Sequence, residues 1–165
     1  GPEKAIHLYP SVHYAKLSSN FPEAASQLVP GSLGENISTP DMDERDVHPG
    51  DIWQLGTALI QVCQPRNPCW KIDERFNSDG MASYISENQL TGWYWRVLRP
   101  GIAQPADQLI ACEVATEGFT LLDAMALCAQ HRPDLLALEK LANTPGIATQ
   151  WKCKIDQRLS WLRGL

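Results

Sequence analysis

Hydrophobic positions along the chain change period near residue 117. Ahead of that point they alternate. In TALIQVC, Ala58, Ile60 and Val62 interleave with Leu59, Gln61 and Cys63, the period-two pattern of a strand with one better-buried face. Pro65 ends that strand, so Arg66 to Cys69 form the loop leaving it. WYWRVL after Gly92 and QLIACEVA after the Pro100–Gly101 turn read as further strands, and Pro49-Gly50-Asp51 reads as a turn between two extended runs. Short helices interrupt the strands. Ser11 to Asn20, PEAASQL from Pro22, KIDERF and the stretch around MASYISENQ fit them, with Pro22 at a first helical position.

Beyond Glu117 the apolar spacing becomes helical. Thr120 and Asp123 form a capping box ahead of LLDAMALCAQH, Pro133 opens a second helix carrying Leu135, Leu136, Leu138 and Leu141, and NTPG breaks it. A third helix places Trp151, Ile155, Leu159 and Leu162 on one stripe. Strands joined by tight turns, without regular alternation of strand and long helix, predict a mainly β, α+β fold. Its expected form is a β-barrel domain over residues 1–116 and a small three-helix subdomain over residues 117–165.

Composition narrows the function. A chain of 165 residues has room for one core and a satellite. A net charge of −5, with no Lys/Arg stripe, argues against nucleic-acid binding, and the cations of the helical tail are balanced by Asp134, Glu139 and Asp156. No apolar run approaches the ~18 residues of a membrane span, and no secretion signal is visible. Five widely spread cysteines make a poor disulfide framework, so the expected compartment is the cytoplasm. Cys128 and His131 have the spacing of a zinc half-site, but a packed helix face is the better reading.

One stretch carries chemistry. QPRNPCWK holds Cys69 in a loop stiffened by Pro68, with Arg66 and Lys71 on either side. Flanking cations favour the thiolate, which is both nucleophile and soft metal ligand. The other four cysteines sit in periodic apolar segments and read as fillers. GSLGENIS supplies glycines at 31 and 34 whose backbone can turn sharply toward an anion, and Asn36 offers an amide to a heterocycle. His7 and His13 flank Tyr9 and Pro10, one of them a candidate to face a pocket, while His48 beside its turn is expected at the surface.

Taken in order, GPEKAIHLYP, GSLGENIST, VHPGDIWQLGTALIQVCQPRNPCWK and GWYWRVLRPG resemble the MOSC domain family of the YiiM type, whose members also carry a three-helix tail. The resemblance spans essentially the whole chain. It implies a β-rich barrel that binds the molybdenum cofactor, a pterin dithiolene with a terminal phosphate. It implies further that Cys69 is the protein ligand to the metal and the catalytic centre, that Arg66 and Lys71 meet the phosphate or the metal's anionic oxygens, and that Gly34, Glu35 and Asn36 meet the pterin edge. The activity implied is reduction of N-hydroxylated compounds such as hydroxylated purine bases. A flavoprotein reductase would donate the electrons, since no G-x-G-x-x-G appears. Trp70, Trp93 or Tyr94 would offer an aromatic wall, and the apolar tail would support a homodimer. A non-redox carrier of the cofactor or of sulfur on Cys69 is the alternative. Members of this type usually carry a His-Gly-Gly stretch ahead of the Lys-Ala segment; the chain opens at Gly1 inside that motif, so a truncated or cleaved chain lacking early barrel strands is expected.

Overall fold

A computed structural model describes residues 1–164. Its centre is a six-stranded sheet built from β1 (Ile6–Pro10), β2 (Ile37–Thr39), β3 (Ile52–Leu55), β4 (Ala58–Pro65), β5 (Trp93–Arg99) and β6 (Leu109–Glu113), in the order β2-β1-β5-β4-β3-β6. Only β1 and β2 run parallel; the other neighbours are antiparallel. The sheet curls into a half-barrel, and among the described residues β2 and β6 do not pair with each other. The mainly β, α+β fold expected from the sequence is found, with its sheet an open half-barrel.

The tight turn of the β3–β4 hairpin lies at Gly56–Thr57, because Gln54 pairs with Leu59 and Leu55 with Ala58. The Pro49–Gly50 turn instead leads into β3, and no strand immediately precedes it. The register of β4 with β5 slips between Val62 and Gln64. That bulge adds a residue where the strand leaves the sheet and re-aims its last side chains.

Alternation along β1 assigns its residues to two cores. Leu8 joins Trp93, Trp95, Ile60 and Val62 in the main core, while Tyr9, one residue on, packs with the second. That second core is closed by α1 (His13–Asn20), a 3₁₀ turn at Pro22–Gln27 where a regular helix was expected, α2 (Lys71–Phe76) and α3 (Met81–Glu87), through Tyr14, Leu17, Ala24, Ile72, Phe76, Met81 and Ile85.

The tail forms α4 (Leu121–Ala129), α5 (Leu135–Ala142) and α6 (Thr149–Leu162). The Thr120 hydroxyl accepts from the Asp123 N–H and the Asp123 carboxylate accepts from the Thr120 N–H, a complete capping box. Buried Leu121, Leu138, Trp151, Ile155 and Leu159 share one core with the sheet. Two links fix the start of α6 against the strands. Ala148 N donates to the Cys63 carbonyl (2.7 Å), and the Glu3 carboxylate accepts from Thr149 N (3.0 Å) and from Arg96 (2.6 Å). No helix is long and apolar enough to cross a membrane among the described residues.

Candidate functional site

Arg66 connects the two candidate motifs. Its backbone N–H donates to the Gly92 carbonyl (3.1 Å), which fastens the PRNPC loop to the start of β5. Its guanidinium donates to the Leu33 carbonyl (2.8 Å), which fastens the same loop to GSLGEN more than thirty residues earlier. Cys69 follows on this braced loop, exposed and free, and its carbonyl accepts from Ile72 N (3.0 Å) in the first turn of α2. Ile72 is buried in the second core, so the packing of α2 holds the sulfur's position. Lys71 is exposed on α2 with no carboxylate partner among the described residues.

The GSLGEN loop is braced from within. Gly34 has φ +82°, a conformation that other residues adopt only at a cost, and the space beside its α-carbon is open. One Glu35 oxygen accepts from the Tyr14 hydroxyl (2.6 Å), Gly31 N (2.7 Å) and the Ser38 hydroxyl (2.7 Å). Burial pushes the Glu35 carboxyl up, but these hydrogen bonds outweigh it and hold the group below the usual carboxylate range. Asn36 accepts from His7 N through its side-chain oxygen (2.8 Å) and donates from its own N–H to the His7 carbonyl (2.9 Å). The Asn36 carbonyl-oxygen end is thus engaged with β1, and one Glu35 oxygen with its own loop.

Beneath both loops lies a buried polar cluster. His7, His13 and Glu44 are each at most 5% exposed and Tyr9 is fully buried. His13 Nε2 meets the Glu44 carboxylate at 2.7 Å, and the other Glu44 oxygen accepts from Gly92 N (2.7 Å). A side-chain carbon at Gly92 would collide with the Leu8 carbonyl and lie 3.2 Å from His7 Nε2, so this site needs glycine for the backbone to pass. Burial first, and then the Arg66 charge, push the His7 imidazole down to about 4, so it is neutral at physiological pH. Burial holds Tyr9 and Tyr14 protonated, well above the ordinary phenol value.

Eight buried side-chain polar atoms lack a protein partner among the described residues, and five of them belong to this region: His7 Nε2, Tyr9 OH, His13 Nδ1, Ser32 Oγ and Glu35 Oε2. Each such group costs about 1–3 kcal/mol unless something pairs with it. The donor set fits a soft, anionic metal complex: an exposed free sulfur, a guanidinium with no carboxylate partner, and an open glycine turn.

Other candidates fall elsewhere. Trp93 is sealed in the main core and offers no wall to a ligand, whereas Trp70, beside Cys69, is 62% exposed and Tyr94 sits across from His7, ring centres 5.3 Å apart. His48 is half-buried against Asp51 and not at the open surface. Cys63 is buried, with its thiol pushed up to about 11 by burial. Cys128 lies on α4, His131 lies beyond it, and no group of three metal-ligating side chains occurs among the described residues. Glu44, Tyr14 and Gln64 carried no sequence signal. Glu44 lies in the acidic run DMDERD, which reads as solvated surface, and only the folded chain brings it under Gly92.

Comparison with known proteins bears on the family and the fold. Residues 1–110 match the model of the MOSC domain. Protein YiiM of Escherichia coli is 34% identical over 159 residues, covering 96% of this chain and 70% of that protein. Its crystal structure superposes with a TM-score of 0.91 at 33% identity, over 100% of this chain and 81% of that one. A Gibberella moniliformis protein named a reductase is 28% identical over 88% of this chain and 26% of its own length.

Proposed function

The chain belongs to the MOSC domain family, and from that membership together with the exposed thiol on a cation-bearing loop we propose that it is a molybdenum-cofactor-dependent reductase of N-hydroxylated compounds, hydroxylated purine bases among them. The observation that carries this reading is the position of Cys69. It is an exposed sulfur on a loop tied by Arg66 to the GSLGEN turn, with unpartnered polar atoms grouped below. The relative named a reductase supports the reductive direction.

In this reading Cys69 is the metal ligand and Arg66 and Lys71 face the cofactor's anionic groups. Gly34, Glu35 and Asn36 form the wall against the pterin. Glu35 keeps that wall rigid through its three hydrogen bonds, and the open side of Gly34 allows close approach. When bound, the metal centre supplies two electrons for the overall change in which R–NHOH, two electrons and two protons give R–NH2 and water. Trp70 offers an exposed ring on which a flat base stacks beside the sulfur. His7 and Tyr9 are both neutral, so neither adds a charge of its own beside Arg66. Electrons come from a separate flavoprotein reductase in the cytoplasm.

The test is to measure molybdenum and pterin in the purified protein and follow reduction of an N-hydroxylated purine base by a reduced dye. The reading predicts both in the wild type, and loss of metal and turnover in Cys69→Ser. Transferable sulfur or cofactor without turnover would establish a carrier instead.

A further inference from the structure

Glu44 touches the supports of both candidate loops. It is 2% exposed, and burying a carboxylate is costly unless its oxygens are paired. Here they are divided between two elements. Oε2 meets His13 Nε2 at 2.7 Å, and Oε1 accepts from Gly92 N at 2.7 Å. The backbone of the same residue is fixed from a third side, because its carbonyl accepts from Leu122 N (3.0 Å) in the first turn of α4, beside a bond from Leu121 N to the Val47 carbonyl (2.7 Å). The helical tail therefore helps to place this carboxylate.

Each oxygen leads to one loop. Gly92 passes the restraint on through its carbonyl, which accepts from Arg66 N (3.1 Å). Beyond Arg66, the next backbone hydrogen bond along the loop among the described residues is the one from Ile72 N to the Cys69 carbonyl, and Pro68 has no N–H to give. The sulfur's loop thus hangs between Gly92 and α2, braced from the side by the Arg66–Leu33 bond. On the other side His13 opens α1, and its neighbour Tyr14 donates to the Glu35 oxygen that closes the GSLGEN turn (2.6 Å).

We propose that Glu44 is a positioning residue for Cys69, a single side chain that spans from α1 to β5 and so sets the sulfur's loop against the GSLGEN turn. The span needs length and two polar ends. Glutamine has both, since its carbonyl oxygen accepts from Gly92 N and its NH2 donates to His13 Nε2 in the other ring tautomer. Aspartate is one methylene short and reaches one partner at a time; methionine fills the space and reaches neither. The functional weight of this placement rests on the reading of Cys69 as the metal ligand, but the placement itself needs no metal.

The test uses cofactor-free protein. It is alkylated with iodoacetamide and mapped peptide by peptide, with the exposed Cys112 and Cys153 as internal references, and hydrogen exchange is followed at the Gly92 and Arg66 amides. In Glu44→Asp and Glu44→Met both amides should exchange about tenfold faster or more, and Cys69 should react about threefold faster or more relative to Cys112 and Cys153. Glu44→Gln should match the wild type in both readouts. Asp51→Ala removes another buried carboxylate, which accepts from His48 N and Ala115 N just before β3, and should leave Cys69 unchanged; this separates lost positioning from lost stability. If Glu44→Met does not fold, the contrast between Glu44→Asp and Glu44→Gln carries the test. The proposal is overturned if the amides and Cys69 are unmoved in Glu44→Asp, or if Glu44→Gln or Asp51→Ala alters them as much. A wild type that holds no molybdenum would refute the metal reading and leave these rates as they are.

Discussion

Replacing Arg66 with methionine removes one charge and one hydrogen bond while keeping most of the unbranched stem. The lost bond runs from the guanidinium to the Leu33 carbonyl at 2.8 Å, on a residue that is 4% exposed. A hydrogen bond to a charged donor is worth about 1.5–3 kcal/mol, and the carbonyl left behind has little access to water. For a domain of this size the melting temperature should fall by roughly 5 °C. The more telling effect is local. Gly34 N and Asn36 N donate to Gly31 and His7 carbonyls, so release of the loop should speed their amide exchange by roughly ten- to hundredfold. His7 reports the same event differently. With the cation gone, its titration should move up from about 4, while burial keeps it below the ordinary histidine value. Exchange by mass spectrometry and an NMR titration of the His7 ring read both, with Arg45→Met on the exposed surface as control. If stability falls while Gly34, Asn36 and His7 are unmoved, Arg66 does not join the two motifs and the site as described is wrong.

Two further outcomes follow from the buried groups. His7 titrates near 4 in the folded chain and near its ordinary value when unfolded, so between those values the unfolded state holds the extra proton and stability rises with pH. Urea titrations from pH 7 to pH 4 should show a loss of about 3 kcal/mol that is absent in His7→Gln; an unchanged slope would mean the ring is solvated. Glu35 has the depressed carboxylate pattern, so its contribution is present above the ordinary carboxylate value and lost as pH falls through the lower folded one. Glu35→Gln should cost about 1–3 kcal/mol at pH 7, with the gap closing in acid; a gap independent of pH would refute the charge-based account.

Local patterns in the sequence found the local structure. Alternation identified β4, the apolar run after Gly92 was read as the strand that is β5, the spacing of Trp151, Ile155, Leu159 and Leu162 identified the buried stripe of α6, and Thr120 with Asp123 marked the start of α4. What it missed depends on long-range contacts. The turn at Gly56 carries no stronger signal than the one at Gly50, and cross-strand register decides between them. A six-residue stretch with proline first reads equally as an α-helix or the 3₁₀ turn found at Pro22–Gln27, because tertiary packing chooses. The tail's apolar stripe announced burial but not its partner, which is the sheet's own core. Motif order placed GSLGEN and PRNPC in one protein. The Arg66–Leu33 bond that joins them, the Glu44–Gly92 bond beneath and the Gln64 bulge beside them exist only in three dimensions.

These features give a consistent division of labour. The second core and the Arg66 bond hold two loops together, a buried polar cluster anchors Gly92 at the start of β5, and the sulfur stands exposed on its loop. The central claim is that this sulfur grips the metal. X-ray absorption at the molybdenum edge of the loaded protein tests it most directly: the account predicts a sulfur scatterer beyond those of the pterin dithiolene, replaced by oxygen or lost with the metal in Cys69→Ser. Identical spectra and metal content in the two proteins would contradict it.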